Sequence, residues 1–252
     1  MKILNDISTK PPKGFSKKET KIELKILRNR FFELQTKMYA QGKYSLLVVL
    51  QGMDASGKDG LVSKAFSKIP AYGISVSSFK VPSKEELAHD FLWRVHQKTP
   101  RKGEIKIFNR SHYEDVLVTR MLGFVSDDLA KKRFQIINNF EEIVAQNNTV
   151  IVKFYLHTSK EEQENRLKER MTDPEKHWKH SDGDWQMREH WDLFRTYYQD
   201  VIDNCSAPFE WNVIPADENR YKELLVLQKL INTLENLDLK YPDLETEMEV
   251  LG

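Results

Sequence analysis

Ser45-Leu-Leu-Val-Val-Leu-Gln51 runs straight into Gly52-Met-Asp-Ala-Ser-Gly57-Lys58. The first half is apolar without polar alternation, which predicts a strand buried on both faces in a central parallel sheet. The second half fits G-x-x-x-x-G-K and opens a predicted helix, Lys58 to Ile69. A strand, a glycine turn and a helix in that order suit a loop (Gly52, Ala55, Ser56, Gly57) whose backbone N–H groups cradle a phosphate. The helix adds its positive N-terminal end, and Lys58 supplies a mobile charge. An ordinary tight turn with a surface lysine is the competing reading, and the flanking elements weigh against it. Two acids depart from the usual pattern. Asp54 lies inside the loop, and Asp59 replaces the Ser or Thr that normally follows the lysine. A carboxylate among phosphates is repelled unless it holds a metal or a proton. Asp59 has a second reading, as an acid favoured in a helix's first turn.

Strands and helices alternate along the rest of the chain. Residues 1–16 contain Pro11, Pro12 and Gly14 and are expected to form an irregular arm. A helix is predicted over 17–41, with Gly42 as its C-cap. Further strands are predicted over 74–79, 104–109, 149–156 and 209–214. Further helices are predicted over 84–96, 111–122, 127–147, 159–171, 186–203 and 217–237. The tail, 240–252, is acidic and weakly patterned. This order predicts an α/β fold with a mostly parallel sheet, as one domain over 17–239. The apolar positions of the first helix suit either core packing or contacts between copies.

Composition closes off several classes. A length of 252 residues suits one domain with insertions. Lys+Arg 39 against Asp+Glu 38 leaves a net charge of +1, too little basic excess for a nucleic-acid coat protein. Cys205 is the only cysteine, which excludes an internal disulfide or a multi-thiolate metal site and fits a reducing cytoplasm. No stretch reaches the ~18 apolar residues of a membrane span, and the lysine-rich start lacks the apolar core of a signal peptide.

A second polar cluster, Phe108-Asn-Arg-Ser-His-Tyr-Glu-Asp115, ends a predicted strand. Carboxyl ends of parallel strands line the ligand crevice, so this cluster is expected to face the phosphate loop. Arg110 suits a bidentate phosphate clamp, and Glu114 and Asp115 suit metal-bound water or a nucleoside. Ser111 with Glu114 also fits a helix capping box. Between Gln163 and Trp191, Arg166, Arg170, Lys176, Lys179 and Arg188 are interspersed with as many acids. Helix, polar bend and helix there suit a mobile lid, about 160–190, that brings arginines to a phosphate site. Trp178 and Trp185 are expected to anchor the lid by packing. His112 and His157 read as local hydrogen-bonding groups.

Taken together, these segments resemble the second polyphosphate kinase family, which has the three-layer P-loop kinase fold with a helical lid. The likeness rests on Gly52-x-Asp54-x-x-Gly57-Lys58-Asp59-Gly60, Phe108 to Val116, Arg166-x-x-x-Arg170, Asp173 to Lys179 and Ile214-Pro-Ala-Asp217. It implies transfer of phosphoryl groups between inorganic polyphosphate and nucleotides with Mg²⁺, or Mn²⁺ in its place. It implies that Lys58 binds the phosphate in transfer and that Asp54 holds Mg²⁺ and positions the acceptor. Arg110 binds phosphate beside them, and Arg170, with Arg166, stabilises the transferring charge. Many members have Asp where this chain has Asn109. Asn109 together with Glu114 is similar to the subgroup that accepts both AMP and ADP; GMP and GDP are further candidate acceptors. A polyanionic donor needs a basic groove, for which Lys64, Lys68, Lys80, Arg120 and Arg133 are candidates. A homo-oligomer, dimer or tetramer, is expected, with no nucleic-acid or membrane partner. The competing readings are an ATP-dependent nucleoside or nucleotide kinase of the same fold and a non-enzymatic phosphate-binding module.

Overall fold

In a computed structural model, which describes residues 3–244, the chain runs α1 (Lys17–Gln41), β1 (Ser45–Gln51), α2 (Lys58–Ala65), β2 (Ile74–Ser78), α3 (Lys84–Ala88), α4 (Trp93–His96), β3 (Ile105–Asn109), α5 (Val118–Met121), α6 (Asp127–Gln146), β4 (Thr149–His157), α7 (Lys160–Thr172), α8 (Asp182–Glu189), α9 (Trp191–Asn204), β5 (Trp211–Pro215) and α10 (Asn219–Glu235). The five strands form one parallel sheet in the order β2-β3-β1-β4-β5. Every residue of β1 is buried. Alternate side chains explain this, because a strand sends successive residues to opposite faces. Leu46, Val48 and Leu50 join Phe31 and Met38 of α1 and Leu227 and Leu230 of α10. Leu47 and Val49 join Ile137 and Phe140 of α6 and Tyr198 and Val201 of α9. The result is three layers, helices on both faces of the sheet. From β1 the chain crosses to the β2 edge, while β4 and β5 extend the other side, so a crevice opens at the carboxyl end of β1.

One core layer contains an ion pair. Lys153 Nζ of β4 donates to Glu141 Oε2 of α6 at 2.6 Å, and neither side chain reaches solvent. The same ammonium donates to Cys205 O at 2.7 Å and Tyr113 Oη at 3.1 Å. Tyr113 Oη donates to Glu141 Oε1 at 2.8 Å, and His112 Nε2 lies 3.2 Å from it. Burial alone would raise the Glu141 carboxyl, but the His112 hydrogen bond and the Lys153 charge hold it below its usual range. Every charge here is matched, which is the condition for an ion pair to survive burial.

Several expected boundaries shift for identifiable reasons. The single helix expected over 111–122 becomes a 3-10 turn, His112–Val116, followed by α5. All five residues of that turn are buried, which one face of an α-helix cannot achieve. The helix expected over 84–96 splits into α3 and α4, because Asp90 Oδ1 accepts from Leu92 N–H at 2.9 Å and makes a turn. The helix expected over 186–203 starts earlier and breaks at His190. The arm is irregular apart from a 3-10 turn at Leu4–Asp6, yet it is stitched down. Leu4 is buried, Thr9 Oγ1 donates to Asp217 Oδ2 at 2.7 Å, and His157 Nε2 lies 3.1 Å from Ile7 O. Of the expected tail, residues 245–252 lie outside the described residues, as do Met1 and Lys2 of the arm. Among the described residues no helix is long and apolar enough to cross a membrane.

Lys153→Met removes the buried cation that faces Glu141, leaving Tyr113 and His112 as the carboxylate's partners. A loss of about 3–5 kcal/mol in unfolding free energy is expected from urea denaturation; a loss below ~1 kcal/mol would show that the pair is not a fixed part of the fold.

Candidate active site

Gly52 begins the loop at φ 152°, where an added Cβ would lie 3.0 Å from Leu156 O of β4. Gly57 ends it at φ 90° and is the N-cap of α2. Between them Ala55 takes φ 59°, and Arg110, just past β3, takes φ 61°. Left-handed residues with a Cβ cost on the order of 1–2 kcal/mol each, so the surroundings must hold them. For Arg110 part of that hold is visible. Its N–H donates to Leu50 O of β1 at 3.0 Å, which ties the end of β3 to the start of the loop.

The charged groups of this crevice are paired with one another. Lys58 is 8% exposed, and its ammonium donates to Gly52 O at 2.6 Å and Met53 O at 3.1 Å. Burial first, then the Arg110 charge, lowers it to about 8. Arg110 is ion-paired with Asp54 and lies 3.6 Å from Glu114. Burial opposes the Arg110 charge, but Asp54 and Glu114 more than offset this and hold the guanidinium above its ordinary value. Burial raises the Glu114 carboxyl, against Arg110 and Lys58. No capping box forms at Ser111: its hydroxyl accepts from Tyr113 N–H, while Glu114 faces Arg110. Asn109 Nδ2 donates to Asp59 Oδ1 at 2.6 Å, so Asp59 is bound sideways and makes no side-chain cap.

The lid segment divides its cations by task. Arg166 of α7 donates to Ala55 O at 3.1 Å, Ala216 O at 2.7 Å, Asp217 O at 3.1 Å and Glu162 Oε1 at 2.8 Å. It fastens the loop to the segment after β5. Arg170 instead donates to Asp184 Oδ2 at 2.5 Å and Lys179 O at 3.1 Å, both within the lid. Burial, then the nearby Asp54 charge, raises the Asp184 carboxyl. Lys176 pairs with Glu169 at 2.5 Å and Asp173 at 3.1 Å, and Lys179 sits over the Trp178 ring. Neither ammonium is brought to the loop through these contacts. Trp178 is 77% exposed, so it does not anchor the lid by packing; Trp185 is half-buried.

Two groove candidates are committed elsewhere. Arg120 pairs with Asp127 and Asp200 and covers the Tyr197 ring, and Arg133 donates to Asp115 O and covers Phe91. Lys64, Lys68 and Lys80 are exposed. Asp115 is buried between Arg94 at 3.6 Å and Arg133 at 3.9 Å and is not among the residues that line the cleft beside the phosphate loop.

Loop, Arg110 and lid line a narrow cleft, open to solvent, with a free volume of about 30 Å³. It is lined by charged Asp54, Arg110, Glu114 and Arg188 and by apolar Met53, Val118, Met187, Trp191 and Phe194. Gln163 also lines it, donating to Asp54 O at 2.9 Å and accepting from Arg188 at 2.9 Å. Such a mixed lining suits a ligand with both a phosphate group and a flat apolar group.

The model of the family described as "Polyphosphate kinase 2 (PPK2)" matches residues 14–242. The chain belongs to the polyphosphate kinase 2 family. An AMP/ADP-polyphosphate phosphotransferase from Meiothermus ruber is 48% identical over 227 residues, covering 90% of this chain and 85% of that one. An ADP-polyphosphate phosphotransferase from Rhodopseudomonas palustris is 38% identical, covering 85% and 78%. The crystal structure of polyphosphate kinase 2 from Arthrobacter aurescens TC1 superposes with a TM-score of 0.93 at 35% identity, over 98% of this chain and 90% of that one. In this polyphosphate kinase 2 chain the Walker-type loop is therefore set in the P-loop kinase fold.

Sequence reasoning missed Gln163, Asp184 and Lys222. Lys222 of α10 donates to Ser56 O and Gly57 O, and burial, then the charges of Arg166, Lys64 and Lys58, lowers it to about 7. No motif marks it.

Both loop lysines are charged below these values and lose charge as pH rises through them. Affinity for inorganic tripolyphosphate is therefore expected to weaken about tenfold between pH 7 and 9 by calorimetry. Lys58→Arg, which stays charged, should bind more weakly throughout but lose less over that range. A flat wild-type profile would show that the lysines remain charged without a ligand.

Proposed function

We propose that this chain transfers the terminal phosphoryl group of inorganic polyphosphate, reversibly, to nucleoside mono- and diphosphates, with AMP and ADP as principal acceptors. The observation that carries this reading is the cleft beside the phosphate loop, lined by Asp54, Arg110 and Glu114 together with apolar Met53, Val118, Met187, Trp191 and Phe194. The name of the 48% identical relative supports both the donor and the acceptors. Asn109 and Glu114, both at the site, support acceptance of AMP as well as ADP; GMP and GDP are the next acceptors to try. Family membership weighs against an ATP-dependent kinase of the same fold and against a non-enzymatic module.

The apolar side chains of the cleft take the base, and the acceptor phosphate lies toward Asp54 and Arg110. Lys58 leaves the Gly52 and Met53 carbonyls for the phosphate in transfer. Arg110 exchanges Asp54 for phosphate oxygens, and Arg170 exchanges Asp184 for the charge that develops as the bond breaks. The acceptor is already anionic, so no strong base is needed, and the residues act by positioning and neutralisation.

Mg²⁺ is the expected cofactor, with Mn²⁺ able to replace it. Among the described residues no group of three His, Cys, Asp or Glu converges that could hold a metal alone. That fits an ion held by one carboxylate, Asp54, with substrate phosphates and water completing its shell. When bound, it would offset the negative charge of the substrate phosphates. A homo-oligomer is also proposed, supported by Ile22 and Ile26 of α1, 61% and 63% exposed. A cytoplasmic location is supported by the lone, buried Cys205.

The deciding experiment is a matrix of AMP, ADP, GMP and GDP against polyphosphate and ATP, read as product nucleotide. ADP and ATP should appear from AMP and ADP with polyphosphate; no product from either would sink the proposal. Lys58→Ala and Arg170→Ala should each lower kcat at least about hundredfold with the melting temperature little changed. Asp54→Asn should raise the Mg²⁺ concentration needed for half-maximal rate. An unchanged Mg²⁺ dependence would move the metal role to another residue.

A further inference from the structure

Lys222 is 2% exposed, near the start of α10. Its ammonium lies against the outer side of the phosphate loop and donates to Ser56 O at 3.2 Å, Gly57 O at 3.3 Å and Asn219 Oδ1 at 2.9 Å. Arg166 binds the preceding carbonyl, Ala55 O. Three consecutive loop carbonyls are thus held by two cations from two helices.

Peptide planarity gives this a consequence for the inner side of the loop. In a trans peptide the C=O and the following N–H point in opposite directions. Carbonyls of Ser56 and Gly57 held toward Lys222 therefore turn the N–H groups of Gly57 and Lys58 the other way, toward the concave side. An anion is bound in such a loop by N–H groups turned that way. The Gly57 carbonyl has a second donor, Leu61 N–H of α2, at 3.1 Å. The Ser56–Gly57 peptide is thus the plane that relies most on Lys222. Gly57 itself fits this arrangement, because a Cβ there would collide with the Lys222 ammonium.

A lysine kept for packing alone would gain from replacement by an apolar residue, since burying an ammonium is costly. Three oxygen partners offset part of that cost, though burial and the charges of Arg166, Lys64 and Lys58 still lower the ammonium to about 7. Resting on the reading of Gly52 to Lys58 as the phosphate cradle, we propose that Lys222 is a positioning residue for phosphoryl transfer: it holds the Ser56–Gly57 peptide with its N–H facing the phosphate and places a second positive charge behind the loop. It acts through the loop and does not line the cleft proposed to take the acceptor base, so its effect falls on the phosphate side of the reaction.

The test uses the full chain with Lys222→Met, close in volume but unable to donate, and Lys222→Gln, which keeps one donating group. Inorganic tripolyphosphate binding is measured by calorimetry, folding by circular dichroism and melting, and turnover with polyphosphate and AMP. With Lys222→Met folded, tripolyphosphate affinity and kcat should each fall about tenfold or more, with KM for AMP within about threefold of wild type. Lys222→Gln should lie between. Affinity and kcat within about twofold of wild type in a folded Lys222→Met protein would overturn the proposal. If Lys222→Met does not fold, the same thresholds apply to Lys222→Gln. Failure of both to fold would also overturn it, leaving a lysine of architecture only. A wild-type protein that binds tripolyphosphate yet makes no ADP from AMP would refute the proposed reaction while leaving the binding test of Lys222 intact.

Discussion

β1 is buried along its whole length and hydrogen-bonded on both sides, to β3 and β4. A strand paired on both sides is fixed in register by two hydrogen-bond ladders, and a one-residue slip would move every packed side chain to the opposite helical layer. Its carboxyl end is therefore a fixed point, and the site is built outward from it. Leu50 O receives the Arg110 N–H, and Gln51 Nε2 donates to Ser111 Oγ at 2.9 Å. Gly52 then turns the chain into the phosphate loop. The positions of Lys58 and Arg110, the two cations of the inner site, are both measured from the end of one strand.

Placing several cations around one small loop is unfavourable unless each has a counter-charge or an acceptor. The protein supplies these internally: loop carbonyls for Lys58, Asp54 for Arg110, Asp184 for Arg170. In the proposed reaction an arriving phosphate would exchange partners with groups that are already desolvated and oriented. Preorganised charge of this kind is where electrostatic catalysis gets most of its effect, since little reorientation is left for the reaction itself. The buried Lys153–Glu141 pair belongs to the same design at one remove, for Tyr113 and His112 of its network lie in the turn directly after Arg110.

How much of this is legible in the chain depends on whether a residue's role is local. The run Ser45 to Gln51 and the loop after it announce themselves, because burial on both faces and phosphate cradling each need a specific local pattern. Arg110 is legible as a polar residue at a strand's carboxyl end. The helix expected over 111–122 fails because its residues are buried by tertiary contacts that periodicity does not record. Lys153 and Lys222 are the clearest cases. Each looks like a solvated lysine in an apolar element, and only partners far away in sequence, Cys205 and Ser56 among them, reveal a buried ammonium. Arg120 and Arg133 fail the opposite way: free-looking arginines that turn out to be tied by Asp200 and Asp115.

Arg166 and Arg170 lie one turn apart on α7, yet their partners separate them. Arg166 uses its donors on Glu162 and on carbonyls from the loop and the segment after β5. Moving it to a phosphate would unfasten the cradle that the phosphate needs. Among the described residues Arg170 is held by Asp184 and the Lys179 carbonyl, both of the lid, so it could exchange a single carboxylate for a phosphate. Under the proposed reaction this gives a division of labour within one helix, with Arg166 fastening the lid to the loop and Arg170 delivering charge. A lid that both anchors and reaches needs one residue for each task, because a guanidinium cannot hold three backbone carbonyls and a transferring phosphoryl group at once.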